Sequence, residues 1–80
     1  MSDAEIVTQI DQLVEQEHSL QRGHAQDELS EQERERLRTI EIQLDQCWDL
    51  LRRRRARRSA GLDPSEAQVR QADVVEGYEQ

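Results

Sequence analysis

The sequence is short of the residues with which small domains usually stabilise themselves. Phe is absent, aromatic residues make up 2% of the 80 positions, and Cys47 is the single cysteine. One cysteine excludes a disulfide within the chain, and a core of this size seldom contributes more than about 3–5 kcal/mol by itself. Self-association requires only an apolar face that is not already covered. The sequence therefore predicts that self-association supplies the further stability.

Lysine is also absent, because all 11 basic residues are Arg, and 18 acidic residues bring the net charge to −7. This excess disfavours nonspecific binding of nucleic acid by the chain as a whole. The N-terminal stretch has no basic or apolar region of a signal peptide, and no window approaches the ~18 apolar residues of a membrane span. We therefore expect a cytoplasmic protein that makes no membrane contact.

Periodicity predicts two amphipathic helices, at about 3–22 and about 30–58. Each begins with the spacing of a capping box, which Ser2 forms with Glu5 and Ser30 with Glu33. Apolar residues then recur at steps of three and four, as on one face of a helix. These positions are Ile6, Ile10, Leu13 and Leu20 in the first helix and Leu37, Ile40, Leu44, Cys47 and Leu51 in the second.

The short polar connection at 23–29 makes the helices antiparallel neighbours. The predicted fold is therefore all-α, an antiparallel two-helix hairpin over residues 1–58. Its apolar faces meet in layers that pair Leu13 with Ile40, Ile10 with Leu44 and Ile6 with Cys47. Cys47 is then a small buried apolar residue, although a position near a two-fold axis would let it bridge a dimer.

Residues 59–80 differ in composition and are predicted to form an acidic, partly disordered tail. Asp63 as N-cap and Pro64 at the first helical position favour a short helix at 64–71. Beyond it, Val75 and Tyr78 are the side chains by which the tail could dock on the hairpin.

Four apolar side chains of the second helix are assigned to an oligomer interface. They are Ile42, Trp48, Leu50 and Leu51. A two-helix hairpin cannot cover both flanks of the inner face, and exposed apolar area usually marks an interface. The prediction is a homodimer in which two hairpins form a four-helix bundle; the alternative is a tail that folds back over Trp48.

Six arginines in seven positions form the densest feature of the chain. This arginine run consists of Arg52, Arg53, Arg54, Arg55, Arg57 and Arg58. It gives residues 50–58 a charge of +6, between a segment of −9 (4 Arg, 13 acidic) and a tail of −4 (1 Arg, 5 acidic). One hypothesis is a binding site for an anionic partner. The other is a helix C-terminus whose dipole favours cations, neutralised by Asp3, Glu5, Asp49 and the tail.

The sequence offers no catalytic residues, metal ligands, cofactor site or small-molecule substrate site. His18 and His24 lie near the connection and Cys47 at the far end of the hairpin, so they cannot share a metal within one hairpin. The predicted function is a non-catalytic adaptor or regulatory module whose macromolecular partner is a protein. The alternative is a nucleic-acid-associated protein that binds phosphates through the arginine run, and a third hypothesis is a purely structural assembly unit.

Several stretches carry a resemblance to a known family. They are residues 29–37 (LSEQERERL), 43–52 (QLDQCWDLLR), 54–58 (RRARR), 63–64 (DP) and 75–78 (VEGY). The chain closely resembles a family of short proteins from high-GC Gram-positive bacteria, domain of unknown function 2630. The resemblance covers nearly the whole chain and implies that the arginine run and the tail belong to the family pattern. It implies no activity, substrate or partner.

Overall fold

The computed structural model describes residues 2–23 and 29–77. Every element in these two ranges is helical: α1 is Asp3–Gly23, α2 is Glu31–Ser59, a 3-10 turn is Pro64–Glu66, and α3 is Ala72–Glu76. Helices α1 and α2 pack against each other. The hairpin predicted from periodicity is confirmed, and both helices begin and end within one residue of the expected positions.

Both helix starts are fixed by their own sequences. The Glu5 amide donates to Ser2 Oγ at 3.2 Å, and the Ser2 amide donates to Glu5 Oε1 at 3.4 Å. The same reciprocal pair joins Glu33 to Ser30 at 3.1 and 3.0 Å. Amides at a helix start have no partner within the helix, so such caps stabilise the helix by about 1 kcal/mol.

The core is built from the predicted apolar faces together with one further side chain. Its buried members are Ile6, Ile10, Leu13, Ile40, Cys47, Leu50 and Leu51, with Val14, Leu20, Leu44 and Ala67 packed around them. Burial increases away from the connection, from the half-buried Leu20 to Ile6, which is fully covered.

Leu50 and Leu51 require a correction, because they were assigned to an outer interface. Leu50 is 4% exposed and Leu51 is 1% exposed within this single chain. Ala67 of the tail packs against the same cluster. The tail packs on the flank of α2 that carries Leu50, whereas Leu51 lies on the apolar face that packs against α1, so both leucines belong to the core.

The chain reverses direction directly after α2. Gly61 adopts a positive φ of 75°, which places it in the left-handed region where glycine is favoured. The Leu62 amide donates to the Arg57 carbonyl at 2.8 Å, and the Gly61 amide donates to the Arg58 carbonyl at 3.1 Å. This is a Schellman motif, which pairs carbonyls that the end of a helix otherwise leaves free.

The tail then runs back along α2. The predicted helix over 64–71 is limited to the 3-10 turn Pro64–Glu66, and Ala67 is already extended. The extended backbone leaves carbonyls free for α2, since Gln68 O accepts from Arg53 and Arg70 O accepts from Gln46 Nε2 at 3.1 Å. A second short helix, α3, follows.

Val75 anchors α3, because it is 5% exposed and α3 packs against α2. Val75 is one of the two residues by which the tail was expected to dock. Tyr78, the other expected docking residue, lies outside the described residues.

Candidate interaction surface on the second helix

Arg54 is the most buried member of the arginine run, at 8% exposure. Its Nε donates to Asp3 Oδ1 at 2.7 Å, and its Nη1 donates to the Pro64 carbonyl at 3.2 Å. One guanidinium therefore joins α1, α2 and the tail. The sequence contained a signal for this burial, because Arg54 follows Leu51 by three positions and so continues the apolar face of α2.

Arg58 binds the other oxygen of the same carboxylate. Its Nη2 donates to Asp3 Oδ2 at 2.9 Å. The hydrogen bonds from Arg54 and then from Arg58 lower the pKa of Asp3 below its ordinary value of 3.8. Asp3 was expected to neutralise part of the run, and the structure shows it bound to two arginines.

Asp49 holds the tail against α2. This carboxylate is 3% exposed and accepts from Arg53 Nε at 3.0 Å and from Arg70 Nη2 at 3.2 Å. Arg53 also donates to the Gln68 carbonyl. The pairing of Asp49 with Arg70 was not predicted, because nothing local to either residue indicates where the tail crosses α2.

Arg57 pairs with the start of the tail. Its Nε donates to the Asp63 carbonyl at 2.7 Å, and its Nη2 lies 2.5 Å from Glu66 Oε2. Hydrogen bonds from the Ser65 amide and hydroxyl lower the pKa of the Asp63 carboxyl below 3.8, with a smaller contribution from the charge on Arg57.

The structure therefore divides the arginine run in two. Arg53, Arg54, Arg57 and Arg58 bind carboxylates or carbonyls of the same chain. Arg52 and Arg55 are exposed, and neither makes an ion pair with any described residue. Internal neutralisation accounts for four of the six side chains.

The surface of α2 has three sectors, which differ in what covers them. The residues of each sector follow from the rotation of about 100° per residue around the helix axis. The sector buried with α1 carries Ile40, Cys47 and Leu51. The sector bound to the tail carries Gln46, Asp49 and Arg53. Between them lies the sector with Trp48, which is 43% exposed.

The tail crosses the sector next to Trp48, through its contacts with Gln46, Asp49 and Arg53. Trp48 itself is 43% exposed, and the alternative that placed the tail over this side chain stays a prediction. Ile42 is separated from Trp48 by six positions, or about 120° around the helix. It is half-buried and continues the row Gln46, Asp49 and Arg53 that faces the tail. A surface centred on Trp48 therefore excludes Ile42.

The outward sector around Trp48 is hereafter called the Trp48 face. It consists of Glu41, Asp45, Trp48, Arg52 and Arg55, which lie within an arc of about 80° on an ideal helix. Asp45 is half-buried and the other charged members are exposed. Opposite charges occupy its two ends.

Exposed apolar side chains also occur on the tail. Leu62 is 53% exposed, Val69 is 57% exposed and Val74 is 45% exposed. They lie on the segment that the tail contacts hold against α2, and they form a second candidate surface.

Cys47 lies in the packed interior of the protein. The thiol is 7% exposed, and burial raises its pKa above the ordinary value of 9.0. A cavity of about 140 Å³ adjoins it, lined by apolar side chains and glutamines of α1, α2 and the tail. No group of three or more His, Cys, Asp or Glu residues that could hold a metal ion occurs among residues 2–23 and 29–77.

These features define an all-helical hairpin whose tail is bound to the second helix by ion pairs and by hydrogen bonds to backbone carbonyls. The chain belongs to the family described as "Protein of unknown function (DUF2630)", which matches residues 2–80. The family resemblance inferred from the sequence is thereby confirmed.

Relatives in mycobacteria share about half of the sequence. The chain is 53% identical over 78 residues to an uncharacterized protein of Mycobacterium tuberculosis and to one of Mycobacterium bovis. Each alignment covers 96% of this chain and 90% of the relative. No solved structure matches the chain. None of the helices in the described part of the chain combines the length and apolarity needed to cross a bilayer.

Proposed function

We propose that this protein is a non-catalytic protein-interaction module that associates with itself and takes a further protein partner. One observation carries the proposal: Trp48 is 43% exposed at the middle of α2, although the tail is folded against the neighbouring sector. Tryptophan is among the residues most enriched at the centre of protein interfaces. In solution the Trp48 face is the expected contact between two hairpins, which gives a homodimer with four long helices.

A protein partner is favoured over nucleic acid because most side chains of the arginine run are already bound within the chain. Phosphate binding gains affinity from each cationic side chain that replaces counterions. Arg53, Arg54, Arg57 and Arg58 already bind groups of this chain, and the net charge is −7. The nucleic-acid alternative is left with Arg52 and Arg55, and these two share their surface with the carboxylates of Glu41 and Asp45.

The tail supplies the surface proposed for the further partner. Leu62, Val69 and Val74 are 45–57% exposed on a segment whose backbone is held by Arg53 and Gln46. A segment held in place before binding loses less conformational entropy when a partner binds. An adaptor or regulatory role follows from two interaction surfaces on one small scaffold.

The proposal contains no catalytic step, cofactor, metal or small-molecule substrate. The charged side chains that converge on α2 bind one another, as Asp49 does with Arg53 and Arg70. The cytoplasmic location expected from the sequence is kept as part of the proposal.

The test compares two variants with the unaltered chain. Trp48→Glu places a charge at the Trp48 face, and Leu62→Glu places one on the tail at a side chain that is 53% exposed. We expect Trp48→Glu to reduce self-association in sedimentation velocity runs at micromolar concentration, and Leu62→Glu to leave it unchanged. In cross-linking pulldowns we expect Leu62→Glu to reduce capture of a protein that resists nuclease treatment. Capture abolished by nuclease would instead favour the nucleic-acid alternative.

A further inference from the structure

The two halves of the Trp48 face carry opposite charge. Glu41 and Asp45 precede Trp48, whereas Arg52 and Arg55 follow it. None of these four charged side chains makes an ion pair with a described residue. The face is therefore divided into an acidic end and a basic end, with an exposed indole between them.

The spacing of these charges about Trp48 is nearly symmetric. Glu41 and Arg55 lie seven positions before and after it, or about 10.5 Å along the helix axis in each direction. Asp45 and Arg52 lie three and four positions away, or about 4.5 and 6 Å. Glu41 and Arg55 thus lie at equal distances from Trp48, and the distances of Asp45 and Arg52 differ by one residue.

We propose that the occupant of this face is a second copy of this chain, docked with α2 antiparallel to α2 and a two-fold axis beside Trp48. The inference rests on the proposed function, since it specifies the geometry of the self-association proposed there. Glu41 of each copy lies opposite Arg55 of the other, and Asp45 lies within one residue, about 1.5 Å along the helix axis, of the position opposite Arg52. The two indoles meet beside the axis, where each covers the other's exposed surface.

Symmetry and charge together select this arrangement. A two-fold interface requires a surface complementary to itself, and reversing the direction of α2 superimposes the acidic end on the basic end. A parallel pairing would instead place Glu41 against Glu41 and Arg55 against Arg55. A polyanion would meet repulsion at the acidic end. Leu50 and Leu51 contribute nothing to this interface, because they are already covered.

The experiment reverses charges on the full-length chain and measures the dimer dissociation constant by sedimentation equilibrium at low salt. Glu41→Arg and Arg55→Glu each replace two attractive pairs per dimer by two repulsive ones. Each single variant is expected to weaken the dimer at least about tenfold, given the strength of exposed ion pairs. The double variant, with both substitutions in one chain, restores both pairs and should return to within about threefold of the unaltered protein.

A matched control carries the same change of charge elsewhere on α2. Arg36→Glu alters an exposed residue about 120° around the helix from Trp48, and it should leave the dissociation constant within about threefold. Circular dichroism verifies that each variant is folded, since all the altered side chains are exposed. Raised salt should weaken the unaltered dimer by screening the pairs.

The outcomes separate this inference from the proposed function. If Trp48→Glu abolishes the dimer but the double charge variant does not recover, the face is an interface and the antiparallel register is wrong. If the single reversals leave the dimer unchanged, the register is also wrong. If Trp48→Glu has no effect, or the unaltered chain is monomeric at about 100 µM, self-association through the Trp48 face is refuted and the inference with it.

Discussion

Removing the charge of Asp49 should release the tail from α2. The carboxylate is 3% exposed and accepts three hydrogen bonds, from Arg53 Nε at 3.0 Å and from Arg70 Nε and Nη2 at 3.3 and 3.2 Å. Asp49→Asn keeps the size of the side chain but leaves both guanidinium groups without their anion.

The size of the expected loss of stability follows from the burial of Asp49, Arg53 and Arg70. Breaking a fully buried ion pair costs about 3–5 kcal/mol. The side chains of Arg53 and Arg70 are 27% and 31% exposed, so water can solvate part of each cation. We therefore expect the free energy of unfolding to fall by about 2 kcal/mol, which lowers the melting temperature of a domain of this size by about 8–16 °C.

Thermal unfolding monitored by circular dichroism at 222 nm measures the effect. The matched control is Asp11→Asn, which removes one negative charge from an exposed position of α1 that makes no ion pair with a described residue. Arg70→Gln should have an effect similar to Asp49→Asn, and the double variant should lose less than the sum because the two act through one contact. A melting temperature lowered no more by Asp49→Asn than by Asp11→Asn would refute the reasoning.

Three further expectations concern other parts of the chain. Because Cys47 is buried and its pKa is raised, a thiol reagent at neutral pH should label it at least about 100-fold more slowly in the native protein than in denaturant. Asp3 has a lowered pKa in the folded chain, so its stabilisation is present above 3.8 and is lost as the pH falls through the folded value. Asp3→Asn should therefore reduce the acid dependence of urea unfolding between about pH 5 and pH 2. Deleting residues 62–80 frees the arginines that the tail now binds, and the shortened chain should bind single-stranded RNA more tightly than the whole chain at about 50 mM salt, with a gain that shrinks as salt rises.

Each of these expectations has a contrary result. Labelling of native Cys47 within seconds would contradict its burial. Equal acid dependence with and without the Asp3 carboxylate would show that its pairs with Arg54 and Arg58 do not stabilise the fold. A shortened chain that binds no RNA at low salt would show that the freed arginines are no phosphate site; circular dichroism must verify that it remains helical.

The hairpin could be predicted because its determinants are local. Ser30 and Glu33 begin α2 through contacts three residues apart, and the spacing of Ile6 and Ile10 places both on one helix face. Capping pairs and apolar spacing depend only on the geometry of a single helix. The sequence could therefore predict where each helix begins and ends. The prediction of Cys47 as a buried core residue followed in the same way.

The candidate site could be predicted only in part, because it depends on where the tail crosses α2. Leu50 was assigned to an interface because a two-helix hairpin cannot cover both flanks of α2, and it is buried in a cluster against which Ala67 of the tail packs. The same path determines which arginines are bound internally. No local pattern links Asp49 to Arg70, which is 21 positions away, so the sequence left both hypotheses for the arginine run open.

The gradient of burial along the hairpin has a consequence for its motion. Ile6 and Leu51 are almost fully covered, whereas Leu20 and Leu37, next to the connection, are half-buried. Parts with few buried contacts open with the smallest free energy. The two helices are therefore held together most firmly where the start of α1 packs against the end of α2. Local opening should begin at the other end of the hairpin, where the chain connects the two helices. Backbone amides around Leu20 should then exchange their hydrogens faster than those around Ile6.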